Sequence, residues 1–143
     1  MHGRVRLVVS RLRSRAASGH HDRDRGSASL QIIVLMPALF LMMFVGMQAA
    51  LIYHGRTVAI AAAQEGARAA AAQVTSPGAG QAAAAEFVAS AGGDGVLRGV
   101  TVTASRDTTT ATVVVTGTTL SVVPGWTPQI TQSASAPLER VTG

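Results

Sequence analysis

The 143-residue sequence contains no cysteine, and aromatic residues make up only 3% of it. Without cysteine the chain has no disulfide framework, no thiolate nucleophile and no cysteine-ligated metal. Any exported part must therefore be held together by packing. The few aromatic residues provide no series of rings on which nucleic-acid bases could stack, which argues against a nucleic-acid-binding protein.

Histidine and acidic residues are also scarce, and their positions argue against an enzyme. Three of the four histidines lie within the first 21 residues, and the fourth is His54. From residue 54 onwards only five acidic residues occur, and they are scattered. Hydrolysis or metal chemistry requires a base, a nucleophile or ligands that converge on one place. Because the sequence offers no such set, we expect no catalytic residue, no metal site and no cofactor.

Positive charge is concentrated at the N-terminus. The chain carries 12 arginines, no lysine and seven acidic residues, and seven of the arginines precede Gly26. From residue 54 onwards five arginines are balanced by the five acidic residues. The net charge of +5 therefore belongs to residues 1–26, a basic leader that we expect to lie in the cytoplasm and that requires no nucleic-acid partner.

A long apolar run follows the leader. Residues 30–53 contain no charged side chain, and their polar interruptions are Gln31 and Gln48. As a helix rising about 1.5 Å per residue, this run is long enough to cross a hydrocarbon core of roughly 30 Å. Pro37 lies inside it and is either a kink with a function or a tolerated membrane proline.

The charge asymmetry predicts how this run is oriented. Arginines precede it and a neutral segment follows, so the positive-inside bias predicts a single transmembrane helix over residues 27–54 with a cytoplasmic N-terminus and an extracytoplasmic C-terminal part. A cleaved secretory signal is disfavoured, because its apolar region would be shorter. The first Ala-x-Ala pattern after the run, at residues 59–61, also lies well beyond its end.

Small residues recur along the apolar run and along the alanine-rich segment after it. No helix breaker appears before Ser76, so we expect the membrane helix to continue as an extension over residues 55–75. Small side chains spaced about one turn apart would let another helix approach closely. The candidate helix-packing residues are Gly46, Ala50, Gly55, Ala59, Ala63 and Gly66. Because alanine is abundant here, a chance pattern is an equally open explanation.

Residues 76–143 are predicted to form a small exported head that begins with a helix. Proline and glycine at residues 77–80 indicate a linker, and residues 81–90 indicate a short helix that ends before Gly92. The apolar period then changes from that of a helix to two, which is typical of strands. The head is therefore expected to contain both a helix and strands.

Three strands are expected in the head. Residues 100–105 alternate, residues 110–116 are rich in valine and threonine, and the segment between them suits a hairpin turn. Residues 120–123 are expected to extend the second strand, and residues 130–138 to supply a third. A sheet with one apolar face needs a cover, so the sequence predicts an α+β fold in which the alanine-rich helices pack on a small antiparallel sheet.

Two short segments carry a resemblance to a known family. The sequence GSASLQ at residues 26–31 precedes an apolar run with an early proline, and AAQEGARAA follows at residues 62–70. In this order the segments resemble the TadE-like family of the tight-adherence (Flp-type) pilus apparatus. The resemblance implies a pilin-like fold and a minor pseudopilin, with other pilin or pseudopilin subunits and a prepilin peptidase as partners.

The resemblance also implies a processing site. It places the cut between Gly26 and Ser27, and it aligns Gln31 with a glutamate of the family that is thought to pair with the new N-terminal amine of a neighbouring subunit. Glutamine can form hydrogen bonds but carries no charge. Two hypotheses stay open: a processed pseudopilin-like subunit, and an uncleaved single-pass membrane anchor whose head is a binding module of the cell envelope.

Overall fold

The computed structural model describes residues 19–72 and 76–138. Most of the basic leader, the end of the predicted helix extension and the last five residues lie outside these ranges. The elements are α1 (Gly19–Ala71), α2 (Pro77–Ser90), a short 3-10 turn (Gly93–Gly95), β1 (Leu97–Arg106), β2 (Thr110–Thr119) and β3 (Gln129–Pro137). The predicted α+β class, with a long apolar helix, a short helix and a small antiparallel sheet, is confirmed.

Helix α1 is one continuous element of 53 residues and contains Pro37. The predicted continuation of the apolar helix through Gly55 into the alanine-rich segment is therefore confirmed. Alanine has the highest helix propensity, and no glycine pair or second proline interrupts this stretch. The chain's contacts divide into two units, Met1–Met43 and Phe44–Gly143, so α1 contributes to both.

In the first unit, every residue from 31 to 43 is exposed, although almost all of their side chains are apolar. Among the described residues, α1 is the one helix that is long and apolar enough to cross a membrane, with a mean hydropathy of 2.2 in its most apolar window. An apolar surface of this length is costly in water and natural in lipid.

The second unit is built on a three-stranded antiparallel sheet in the order β1-β2-β3. The central strand β2 alternates strictly, with Ala111, Val113 and Val115 buried on one face and partly exposed threonines and a valine on the other. Its apolar face is covered by helix: Gly66 of α1 lies against Val113, and Ala84 of α2 is fully buried. Alanines of the two helices and valines of the sheet thus form one core.

The two hairpins place the strands nearly as the sequence predicted. The β1–β2 turn is closed by the Asp107 amide, which donates to the Thr110 carbonyl at 2.8 Å. Strand β1 begins earlier than expected, at Leu97, and its register shifts between Arg98 and Thr101, where Gly99 has a φ of 59°. The third strand also agrees closely with its prediction.

Two local predictions are wrong. The segment at residues 77–80 is not a linker, because α2 begins at Pro77, with Ser76 as its extended N-cap residue. A proline in the first turn of a helix loses no hydrogen bond, so the same residue suits a helix start as well as a loop. Residues 120–123 do not extend β2, which ends at Thr119. Their polar groups bond to α1 and within the loop, as described below.

Candidate functional site

The residues of the expected processing site lie in helical backbone. Gly26 and Ser27 both fall within α1, and Gln31 follows five residues after Gly26. Gln31 is exposed and stands at the start of the exposed apolar surface of α1. Five residues of helix correspond to a rise of about 7.5 Å, so the amide of Gln31 lies more than one turn from the expected cut.

The exposed apolar surface extends from Ile32 to Met47 and is named here the apolar sleeve. Its large side chains are all roughly half or more exposed. They are Ile32, Ile33, Val34, Leu35, Met36, Leu39, Phe40, Leu41, Met42, Met43, Phe44, Val45 and Met47. Their exposure on all sides of the helix distinguishes this segment from the amphipathic helix of a soluble domain, which buries one stripe.

The sleeve ends at Gln48, which is buried with only 5% of its surface exposed. Its side-chain oxygen Oε1 accepts a hydrogen bond from the Val122 amide at 2.8 Å and another from the Ser121 hydroxyl at 3.0 Å. The side-chain nitrogen Nε2 is buried and has no hydrogen-bond partner among the described residues. Within this chain Gln48 thus binds the loop after β2.

The candidate helix-packing residues divide into two groups by exposure. Ala59 and Ala63 are buried in the core, and Gly55 and Gly66 are also buried. The space beside Gly66 is filled by the backbone of α2, since a Cβ added there would lie 2.7 Å from the Gly80 carbonyl oxygen. A Cβ at Gly55 would likewise collide with the methyl group of Thr119. These positions are thus covered by the chain's own head.

The other group, Gly46 and Ala50, is not covered by the head. A Cβ added at Gly46 would meet no atom within 4 Å, and Ala50, one turn later, is exposed. Small exposed residues one turn apart in an apolar helix leave a shallow depression into which another helix can pack. Of the predicted set, Gly46 and Ala50 are therefore the residues that this chain leaves available to another subunit. Packing with another subunit stays a prediction.

Charged groups form no reactive cluster in the described part of the chain. Arg68 and Glu65 form an ion pair at 3.1 Å, and both side chains are largely exposed. An exposed pair one helical turn apart contributes only a few tenths of a kcal/mol, about 0.2–0.5. Among the described residues, no three His, Cys, Asp or Glu side chains lie close enough together to hold a metal ion.

An open groove lies between α2 and β1, with alanines, valines and Leu97 as its floor. Its polar lining side chains are Gln81 and Asp94. An amide and a single carboxylate do not provide the paired base and nucleophile that covalent or acid–base catalysis uses. The groove presents both polar and apolar surface and brings no such pair together among the described residues.

Two features of this site were missed by sequence reasoning. Gly80 was interpreted as part of a linker, whereas it packs against Gly66, which only the tertiary fold reveals. The loop partners of Gln48 lie more than 70 residues away. The spacing of seven residues between Gln48 and Gly55 could have indicated a shared environment, because it places both residues on nearly the same face of α1.

A comparison with protein families gives a match over the N-terminal helix. Residues 26–68 match the family model of TadE-like protein, and the matched segment begins at Gly26 and includes the whole apolar sleeve. No curated protein and no solved structure matches the chain. The resemblance to the TadE-like family is thereby confirmed over the N-terminal helix, and it connects this segment with the tight-adherence pilus apparatus.

Proposed function

We propose that this chain, TadE-like over residues 26–68, is a membrane-anchored minor pseudopilin-like subunit of a tight-adherence pilus or a related secretion apparatus. Its role is structural and in assembly, not enzymatic. The observation that carries the proposal is the apolar sleeve: the family match covers a helical surface that nothing else in the described chain buries.

The sleeve and the two residues before it have the length of a membrane segment. The 18 helical residues 30–47 would span about 27 Å, close to the thickness of the hydrocarbon core. Gln48, which binds the loop of the head, follows directly. This favours a membrane segment that ends near Gln48, several residues earlier than the end predicted from hydropathy, with the alanine-rich part of α1 in the head.

The orientation follows from the arginines. Seven of them precede Gly26, whereas positive and negative charges balance after residue 54. The positive-inside bias therefore favours a cytoplasmic leader and an extracytoplasmic head. In this orientation Gly26 and Ser27 lie near the cytoplasmic face of the membrane, where the prepilin peptidase of the proposal would act.

Other pilin or pseudopilin subunits are the proposed partners of the sleeve. Gly46 and Ala50 provide the depression for close helix approach, and Gln31 provides an amide in apolar surroundings. The amide can donate a hydrogen bond to a backbone or accept one from the amine of a neighbouring subunit. It would therefore replace the charge pair of the family with a hydrogen bond that does not neutralise the charge of the amine.

The test is the N-terminal sequence and intact mass of the protein recovered from membranes, with and without a co-expressed prepilin peptidase. We expect a start at Ser27 that depends on the peptidase and is lost in Gly26→Val. The matched control is Gly46→Val, which should leave the cut unchanged because residue 46 is 20 residues away and has open space beside it.

A second candidate function is supported by the groove between α2 and β1, whose apolar floor is open to a binding partner. On that hypothesis the chain is an uncleaved membrane anchor, and its head binds a ligand of the cell envelope. A chain that still begins at Met1 in the presence of active peptidase would favour this function and contradict the pseudopilin proposal.

A further inference from the structure

We propose that residues 120–128, named here the β2–β3 loop, contact the surface of the membrane that α1 crosses, with Trp126 and Val123 as the side chains that enter the lipid headgroup region. The inference rests on the proposed membrane insertion of α1. It adds a second, separate site of lipid contact in the head, which the TadE-like match does not cover because that match ends at residue 68.

The first support is where the loop is attached. Its residues Ser121 and Val122 both donate hydrogen bonds to Gln48, the first residue of α1 after the apolar sleeve. The Thr119 amide donates to the Pro128 carbonyl at 3.0 Å and closes the base of the loop. The loop is therefore held beside the helix at the level where the helix surface changes from apolar to mixed.

The second support is what the loop exposes. Val123 is 44% exposed and Trp126 is 48% exposed, which sets them apart from the buried valines of the neighbouring strand. The Trp126 amide donates to the Val123 carbonyl at 3.3 Å in a tight turn, with Gly125 at a φ of 77°. Two exposed apolar residues thus lie at the two ends of one four-residue turn.

The third support is the absence of charge. The sequence from residue 108 to residue 138 contains no Asp, Glu, Lys or Arg. Charged side chains at this position would resist partial burial in lipid, whereas tryptophan combines a large apolar ring with one N–H donor and is enriched at membrane interfaces. The loop therefore has the composition of an interfacial segment.

The surface of α1 beside the loop also changes from apolar to mixed at Gln48. Before Gln48, the side chains of Phe44, Val45 and Met47 are exposed and apolar. After it, Tyr53 is 74% exposed, and Arg56 follows within one turn. The chain's only tryptophan and only tyrosine are therefore both exposed near this boundary, as in the aromatic belts of membrane proteins.

Because Trp126 is the sole tryptophan, its fluorescence reports on this loop alone. The full chain is reconstituted into vesicles of phosphatidylethanolamine and phosphatidylglycerol that contain phosphatidylcholine brominated either near the headgroup end or near the methyl end of the acyl chains. We expect blue-shifted emission, strong quenching by the shallow bromines, weaker quenching by the deep ones, and protection from aqueous iodide.

A charge in the loop should reverse this result. In Val123→Asp we expect the shallow quenching to fall and iodide quenching to rise, because the carboxylate disfavours the headgroup boundary. The matched control is Thr103→Asp, at an exposed position of β1 outside the loop, which should quench like the native chain. Equal quenching of the two variants would contradict the proposed role of Val123.

Resistance of the vesicle-bound protein to alkaline extraction separates this inference from the anchor on which it rests. Full iodide quenching with no bromine quenching, in protein that resists extraction, would overturn the loop contact and leave the anchor in place. Release of the native chain by alkali would overturn both. If Trp126 instead contacts a second copy of the chain, its emission would be blue-shifted without bromine quenching, which also overturns the lipid contact.

Discussion

At the scale of single residues, Gln48 shows how a polar group in an apolar run acquires a structural role. Among residues 31–53 it is the one buried residue, and its oxygen binds two groups of a distant loop. A buried polar atom is favourable only when it is hydrogen-bonded. Its unpartnered nitrogen lowers the net gain, so the contribution of the residue lies mainly in fixing the position of the loop.

We expect Gln48→Leu to destabilise the head by on the order of 1 kcal/mol, because the Val122 amide loses its acceptor. The midpoint of thermal unfolding, measured by circular dichroism in detergent, should fall. The control is Gln64→Leu, at an exposed position of the same helix, which should change the midpoint little. Equal midpoints for the two variants would show that the Gln48 bonds do not support the head.

Two glycines of α1, Gly66 and Gly46, allow the same substitution to be compared at a covered and at an open position. An alanine at Gly66 would place its Cβ 2.7 Å from the Gly80 oxygen and 2.9 Å from the Ala84 Cβ. Neither neighbour is a flexible side chain, so Gly66→Ala should destabilise the head by about 1–3 kcal/mol, as overpacking does. Gly46→Ala meets open space and should leave the unfolding midpoint of the detergent-solubilised protein unchanged or raise it.

The contrast between these two variants is the informative quantity. A Gly66→Ala protein as stable as the Gly46→Ala protein would mean that α1 and α2 do not approach closely at this point. If both variants lost stability, Gly46 would have a partner within the detergent-solubilised protein.

At the scale of elements, the sequence predicted what local patterns determine. The continuous helix α1 follows from a long stretch without breakers, and the β1–β2 hairpin follows from a period of two around a turn. The start of α2 was misplaced, because Pro77 suits a helix start and a loop equally. The end of β2 was misplaced because Gln48 takes the polar groups of residues 121–122, a tertiary effect that no local pattern contains.

The same limit applies to the candidate site. The helix-packing set was identified from spacing alone, and spacing cannot distinguish a position covered by the chain's own head from one open to another subunit. Thr119 and Gly80, which cover Gly55 and Gly66, are 64 and 14 residues away along the chain. Only the tertiary fold shows that Gly46 and Ala50 are the exposed members of the set.

The apolar sleeve allows an element-scale prediction. We expect the double variant Leu39→Arg with Phe40→Arg to lose membrane insertion, because each arginine near the centre of a membrane helix costs about 2.5–3.5 kcal/mol. The measurement is the fraction of protein that remains in the membrane after alkaline extraction. Gln64→Arg, exposed on the head portion of α1, should insert normally. Retention of the double variant would contradict the assignment of the sleeve to lipid.

At the scale of the whole molecule, charge and apolar surface are separated along the chain. The arginines of the leader precede the sleeve, and the charges from residue 54 onwards balance. The head has a core of mostly alanines and valines and no disulfide, so helix packing on the sheet holds it together. This arrangement suits a subunit whose apolar helix segment lies in a membrane and whose head lies outside the lipid.

The central claim is that the apolar sleeve packs against other pilin-like subunits, and one measurement tests it most directly. Because the chain has no cysteine, a photoreactive maleimide can be placed at Gly46→Cys alone and activated in native membranes. The account predicts an adduct with a pilin-like subunit or a second copy, and a weaker one from Phe44→Cys, which lies on nearly the opposite side of α1 at the same depth. Adducts with lipid only, equal at both positions, would contradict it.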